Sequence, residues 1–169
     1  CDLPVLVDAD NCYGDVKNVV HVLHTYEKMG VQALFFEDQA SPKSCPHIGK
    51  VRVVPTEEME KKIRAAAANR LNPDTFLIAR TDARAVYGMD EMLRRAERYV
   101  RAGADGLYVE SLKSVEEMER AVHAVDTAHM ASIFEGANPL LKPAEIAQLG
   151  YKIVIYGNTL LSHATRAME

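Results

Sequence analysis

Short apolar runs recur along the chain, at VLVDAD (residues 5–10), ALFFEDQ (33–39), TFLIARTDA (75–83), GLYVES (106–111), ASIFEG (131–136) and KIVIYG (152–157). Each is brief and rich in β-branched or aromatic residues, the pattern of a strand buried on both faces of a parallel sheet. Between them, residues 15–29, 56–70, 90–101, 114–128 and 143–148 space their apolar positions by three and four, which predicts helices.

Punctuation supports the alternation. Gly30, Gly103 and Gly150 each follow a predicted helix and precede a strand, where a glycine closes the last turn. Thr56 with Glu57 and Glu58, and Ser114 with Glu117, read as helix starts with capping boxes.

Repeated strand–helix units build either a doubly wound open sheet or a (β/α)8 barrel. Nearly every run here ends in acids or other polar groups, and in a barrel those ends converge on the mouth that holds the site. No GxGxxG or GxxxxGK[ST] follows any strand, so the dinucleotide and P-loop alternatives lose their main support. The expected fold is α/β, of (β/α)8 TIM-barrel type. About six βα units are visible, whereas a closed barrel needs eight strands and typically about 250 residues. Residues 1–169 therefore read as a single partial barrel, with the missing units mostly at the N-terminal side. The chain opens Cys-Asp-Leu-Pro without an initiator methionine, so its natural start is expected upstream.

Composition adds the setting. With 26% charged and 48% apolar residues and a formal net charge of -4, the chain has no nucleic-acid footprint. No apolar run approaches the roughly 18 residues of a membrane span. A cytoplasmic protein acting on a small molecule, with no nucleic-acid or membrane partner, is expected. The three cysteines, Cys1, Cys12 and Cys45, are an odd number at scattered spacings and suggest free thiols rather than a disulfide framework or paired zinc knuckles.

The candidate chemistry lies at the strand ends. Asp8 and Asp10 stand two apart at the close of one strand, hence on one face, and Glu37 closes the next. Several carboxylates at one mouth suit a hard divalent cation such as Mg2+. Singly, each could instead cap a helix or pair with a lysine. Arg80 offers planar donors to a substrate carboxylate, or an ion pair to Glu110 or Glu37, and the two roles are compatible.

Cys45 sits in the stretch SPKSCPHIGK (41–50) between Lys43 and His47. A thiol near cationic groups has a lowered pKa and can act as nucleophile or as acid and base. A Pro- and Lys-bearing loop is a poor place for a core cysteine, and a lone CxH pair is a poor zinc site. His21, His24, His123 and His129 fall on or beside helices, where surface or packing roles are expected.

Taken together, VDADNCYGDVKN, GVQALFFEDQASPKSCPH, LIARTDA, ADGLYVES and LGYKIVIYGNTLLSHATRAM resemble, in collinear order, the isocitrate lyase and phosphoenolpyruvate mutase superfamily. The similarity is greatest to its methylisocitrate lyase and dimethylmalate lyase-like members. It implies a (β/α)8 barrel, a homotetramer with an exchanged C-terminal helix, and Mg2+, or Mn2+ in its place, held by Asp8, Asp10 and Glu37. It further implies cleavage of a 2-hydroxy di- or tricarboxylate, of the 2-methylisocitrate or 2,3-dimethylmalate type, into an α-keto acid such as pyruvate and a second carboxylate. Cys45 would be the catalytic acid, tuned by Lys43 and His47, with Arg80, Glu110 and Ser132 contacting substrate.

The chain departs from that pattern in places. It reads NCYG where relatives have TGYG, putting Cys12 where a glycine with positive φ is expected. It reads KSCPH where they have KRCGH or KKCGH, and Ser132 replaces an asparagine of several lyases. The family's first two strands, with a carboxylate-binding Ser-Gly turn, and its exchanged helix have no counterpart in these residues. The alternatives are a phosphoenolpyruvate mutase, phosphonopyruvate hydrolase or oxaloacetate decarboxylase-like enzyme, against which Cys45 argues, or a non-catalytic dicarboxylate-binding relative.

Overall fold

A computed structural model describes residues 2–45, 49–134 and 139–169. The described elements run β1 (Leu6–Asp8), α1 (Val16–Lys28), β2 (Ala33–Glu37), α2 (Thr56–Ala68), β3 (Phe76–Thr81), α3 (Ala83–Tyr87), α4 (Met89–Arg101), β4 (Gly106–Val109), α5 (Val115–Ala124), β5 (Ala128–Ser132), α6 (Pro143–Gln148), β6 (Ile153–Ile155) and α7 (Thr159–Met168). The strands pair in parallel in the order β1-β2-β3-β4-β5-β6, as successive βα units of a partial (β/α)8 barrel do.

Strand periodicity divides the apolar residues between two layers. Leu34, Phe36, Leu77, Ala79, Leu107, Val109 and Ala131 pack outward into the large core shared with the helices, which includes Leu23, Met59, Ile63, Met92 and Tyr99. The alternate residues Phe35, Ile78, Tyr108 and Met130 form a separate inner cluster, joined by Leu6, Phe76, Ile153 and Ile155. Burying each large side chain contributes about 1.5–3 kcal/mol. Phe35 and Tyr108 meet edge to face, with ring centroids 5.4 Å apart.

In β1 to β5, two residues beyond the last inner apolar position stands a polar one: Asp8 after Leu6, Glu37 after Phe35, Arg80 after Ile78, Glu110 after Tyr108 and Ser132 after Met130. A period of two keeps them on the same inner face, so an apolar floor carries a polar rim. Parallel register pairs Glu37 with Arg80 and Arg80 with Tyr108, which sets the rim's neighbours.

The three helix-closing glycines behave as predicted, with φ of 83° at Gly30, 112° at Gly103 and 105° at Gly150. Ser114 accepts from the Glu117 amide at 3.2 Å, as a capping residue should. Thr56 does not cap; it is already helical, and Pro55 occupies the cap position without a side-chain bond.

The fifth strand lies earlier than its apolar run suggests. Val125 is extended (φ −136°, ψ 119°) and ends α5 at Ala124, so β5 starts at Ala128, pairs with β4 through 128–130 and ends at Ser132; of the expected run 131–136, residues 135–136 lie outside the described residues. His129 thus belongs to β5, is buried, and shares a 2.8 Å hydrogen bond between Nε2 and the Val125 carbonyl. Helices α3 and α7 add to the predicted set. Among the described residues no helix is long and apolar enough to cross a membrane.

Candidate active site

The chain leaves β1 at Asp8 and turns sharply. Asp10, Cys12 and Tyr13 have positive φ of 53°, 60° and 57°, a region that costs roughly 1–2 kcal/mol for a non-glycine residue. Local bonds hold the turn: the Asp10 amide donates to Asp8 Oδ1 (2.9 Å), the Cys12 amide to the Ala9 carbonyl (2.8 Å) and the Tyr13 amide to Asn11 Oδ1 (3.0 Å). Asp10 is therefore outside strand alternation, and its proximity to Asp8 comes from the turn. Cys12 sits in the left-handed conformation expected of a glycine there. Its thiol is fully buried, and burial pushes its pKa up to about 12, so it is an inert packing group.

The Glu37 amide donates to the Asp10 carbonyl at 2.8 Å, tying the first two strand ends together. Glu37 is fully buried, and burial raises its pKa against the opposing pull of Arg80 and Lys43. Lys43 Nζ lies 3.1 Å from Glu37 Oε1 and also pairs with Asp10; Arg80 Nε lies 3.2 Å from Glu37 Oε2. These ions approach without well-directed hydrogen bonds, which leaves both Glu37 oxygens short of donors.

Arg80 is partnered on several sides. Its Nε and Nη2 donate to Asp82 Oδ2 and Oδ1 at 3.0 and 3.1 Å, Glu110 Oε2 is 3.8 Å from Nη2, and its Cζ lies 4.9 Å from the centre of the Tyr108 ring. Burial opposes its charge, yet Asp82 and the neighbouring groups raise its pKa above the usual guanidinium value. Glu110 accepts from the Tyr108 hydroxyl and, at 2.9 Å, from the Ser111 amide.

These groups border one cleft of about 460 Å³, lined by Asp8, Lys43, Cys45, Arg80, Tyr108, Glu110 and Ser132 together with Phe134, Ile155 and Asn158. Cys45 is exposed at its edge. Its loop is anchored at the base by the Gln39–Val53 bridge, by the Ser44 amide on Gln39 Oε1 (3.0 Å) and by the Asn11 side chain on Ser41 Oγ (2.8 Å). The structure thus brings together Asp8, Asp10, Glu37, Lys43, Cys45, Arg80, Glu110 and Ser132. His47 lies outside the described residues. Sequence reasoning missed Asp82 and Tyr108; the first was visible as the acid of ARTDA, the second was concealed as an ordinary strand aromatic.

Carboxylates outnumber cations here: Asp8, Asp10, Glu37, Asp82 and Glu110 surround Lys43 and Arg80 among the described residues. No three His, Cys, Asp or Glu side chains among the described residues form a ready metal cage. The acid excess and the donor-poor Glu37 oxygens nevertheless fit a divalent cation that keeps waters or substrate oxygens in its shell.

The sequence family described as phosphoenolpyruvate phosphomutase matches residues 1–169. The 2,3-dimethylmalate lyase of Eubacterium barkeri is 44% identical over 167 residues, covering 98% of this chain and 58% of that protein. A 2-methylisocitrate lyase of Aeropyrum pernix is 38% identical over 168 residues, with coverage of 99% and 54%. The crystal structure of a 2,3-dimethylmalate lyase superposes with a TM-score of 0.94 at 31% identity, covering 98% of this chain and 56% of that one. Phosphonopyruvate hydrolase in complex with oxalate and Mg++ superposes with a TM-score of 0.85 at 34% identity, covering 99% and 59%. This chain spans a little over half the length of these relatives.

Proposed function

This chain belongs to the phosphoenolpyruvate mutase/isocitrate lyase superfamily, and we propose that its cleft serves a carbon–carbon lyase acting on a 2-hydroxy di- or tricarboxylate. The observation that carries the reading is the placing of Cys45, Lys43 and Arg80 around one cleft with Asp8 and Glu110. The 2,3-dimethylmalate and 2-methylisocitrate lyases named above favour substrates of that type, giving pyruvate or a similar keto acid.

Asp8, Asp10 and Glu37 would hold the Mg2+, or Mn2+, that the oxalate complex of phosphonopyruvate hydrolase suggests. When bound, such a cation neutralises the acid excess and lowers the pKa of a substrate hydroxyl. Arg80, which lines the cleft, would bind a substrate carboxylate. As the substrate hydroxyl passes its proton to a carboxylate of the cleft wall such as Glu110 and becomes a ketone, the electrons of the breaking C–C bond pass to the departing carboxylate fragment. Arg80 stabilises that charge, and the Cys45 thiol delivers a proton to the new carbanionic carbon. Closure of the Cys45 loop over substrate would exclude water from this intermediate. We further propose that residues 1–169 act as one catalytic unit within a homo-oligomer.

The test is keto-acid release from 2-methylisocitrate, 2,3-dimethylmalate, isocitrate and oxaloacetate by the full-length protein, with Mg2+ and with a chelator. Cleavage of one of the first three, abolished by chelator, is the expected result. The 34% identity to phosphonopyruvate hydrolase favours one second reading, attack on an oxo acid, which activity on oxaloacetate alone would support. Silence on all four substrates would leave a dicarboxylate-binding relative.

A further inference from the structure

Asp82 and Asp38 are fully buried acids that the proposed chemistry does not use. They are linked: the Asp82 amide donates to Asp38 Oδ1 at 3.0 Å, and the hydroxyl of Thr81 donates to Asp38 Oδ2 at 2.8 Å. Asp38 is held in turn from behind the sheet by two residues of α4, Arg95 Nη1 at 3.1 Å and the Tyr99 hydroxyl at 2.8 Å. A buried carboxylate so fully supplied with donors is a rigid anchor, since losing any donor would leave charge unpaired.

The anchor fixes the backbone at 81–82, and Asp82 then takes the Nε–Nη2 edge of Arg80 in a two-bond fork. A guanidinium has one planar set of donors, so a fork on one edge dictates where the others point. Nη1 makes no hydrogen bond among the described residues, and Arg80 lines the cleft. We propose that Asp82 is a positioning residue for Arg80, and that Asp38 transmits its alignment from α4, so that the edge offered to substrate is set by groups substrate never touches. This inference rests on Arg80 as the carboxylate-binding group, and so on the function proposed above.

Two readouts separate the ideas. The first needs no ligand: the Arg80 Nε–H resonance in 15N spectra is expected to be hydrogen-bond shifted and slow to exchange, and to lose both properties in Asp82→Asn. An unchanged resonance overturns the proposal. The second is calorimetric binding of oxalate with Mg2+ present. Asp82→Asn is expected to weaken it about 10- to 100-fold, as misplacement of a binding group does. Glu117→Gln, which breaks the Arg84 ion pair away from the cleft, is expected to change nothing.

In an Arg80→Lys background, which has no fork to align, adding Asp82→Asn should cost little more. Two losses that simply multiply would mean Asp82 acts on its own account, and the positioning role would be wrong. If the native protein fails to bind oxalate, the proposed function fails while the resonance still decides the role of Asp82. Asp82→Glu, which keeps the charge and shifts the carboxylate by one methylene, replaces the asparagine variant should that not fold.

Discussion

Lys43 Nζ stands 3.1 Å from Glu37 Oε1 while also pairing with Asp10, so one ammonium bridges two of the three acids proposed to hold a cation. Burial works against its charge, but those two carboxylates hold its pKa above the ordinary lysine value. Lys43 and a divalent ion thus compete for the same oxygens. Lys43→Met is expected to tighten Mg2+ or Mn2+ binding several-fold in calorimetry or manganese resonance titration while lowering turnover. Weaker metal binding would show that Lys43 organises the acids instead.

Among the described residues Cys45 is the exposed thiol, on the cleft edge, and Cys12 is sealed in the core. Cys45→Ser should reduce lyase turnover by about 100-fold or more, the range of a lost general acid, with metal binding intact. Full activity in that variant would remove the thiol from the mechanism. Cys12 resists alkylation in the folded protein, which mass mapping after brief iodoacetamide treatment checks.

Glu27 on α1 supports the approach to β3. It accepts from the amides of Leu71 (3.0 and 3.1 Å) and Asn72 (3.1 Å) and from the Thr75 hydroxyl (2.8 Å). Burial pushes its pKa up, but these donors outweigh burial and hold it below the ordinary glutamate value of 4.5. A carboxyl lowered on folding contributes stability above its unfolded pKa and loses it as pH falls through the folded one. Glu27→Gln is expected to cost about 1–2 kcal/mol at neutral pH. Urea unfolding as a function of pH should show the gap to the native protein closing below about pH 4.

Gly106 faces the barrel interior beneath the site. An added Cβ would lie 3.0 Å from Phe76 Cε1 and 3.0 Å from the Ala128 carbonyl oxygen. Gly106→Ala should therefore destabilise by about 1–3 kcal/mol, as overpacking does. A thermal midpoint equal to that of the native protein would mean that Phe76 yields freely.

Much of this was legible from residue spacing, because burial imposes periods of two and three-to-four that survive in any sequence. Asp8, Glu37, Arg80 and Glu110 could be read as strand ends; Ser132 could not, because its strand was expected at 131–136 and ends at that residue instead. The start of β5 could not, since His129 and Met130 fit a helix as well as a strand until the extended backbone of Val125 broke the run. Thr56 carried the pattern of a cap, yet the helix begins one residue earlier than that pattern requires.

What the sequence determined by itself was the alternation of strands and helices, the barrel class, and the residue types gathered at the strand ends. These follow from local periodicity and from side-chain chemistry. Tertiary structure decided which charges meet: that Lys43 bridges Asp10 and Glu37, that Asp82 forks Arg80, and that Asp38 ties that fork to α4. Register and sheet curvature bring these groups together from residues as many as 61 apart in sequence, a proximity that no local pattern records.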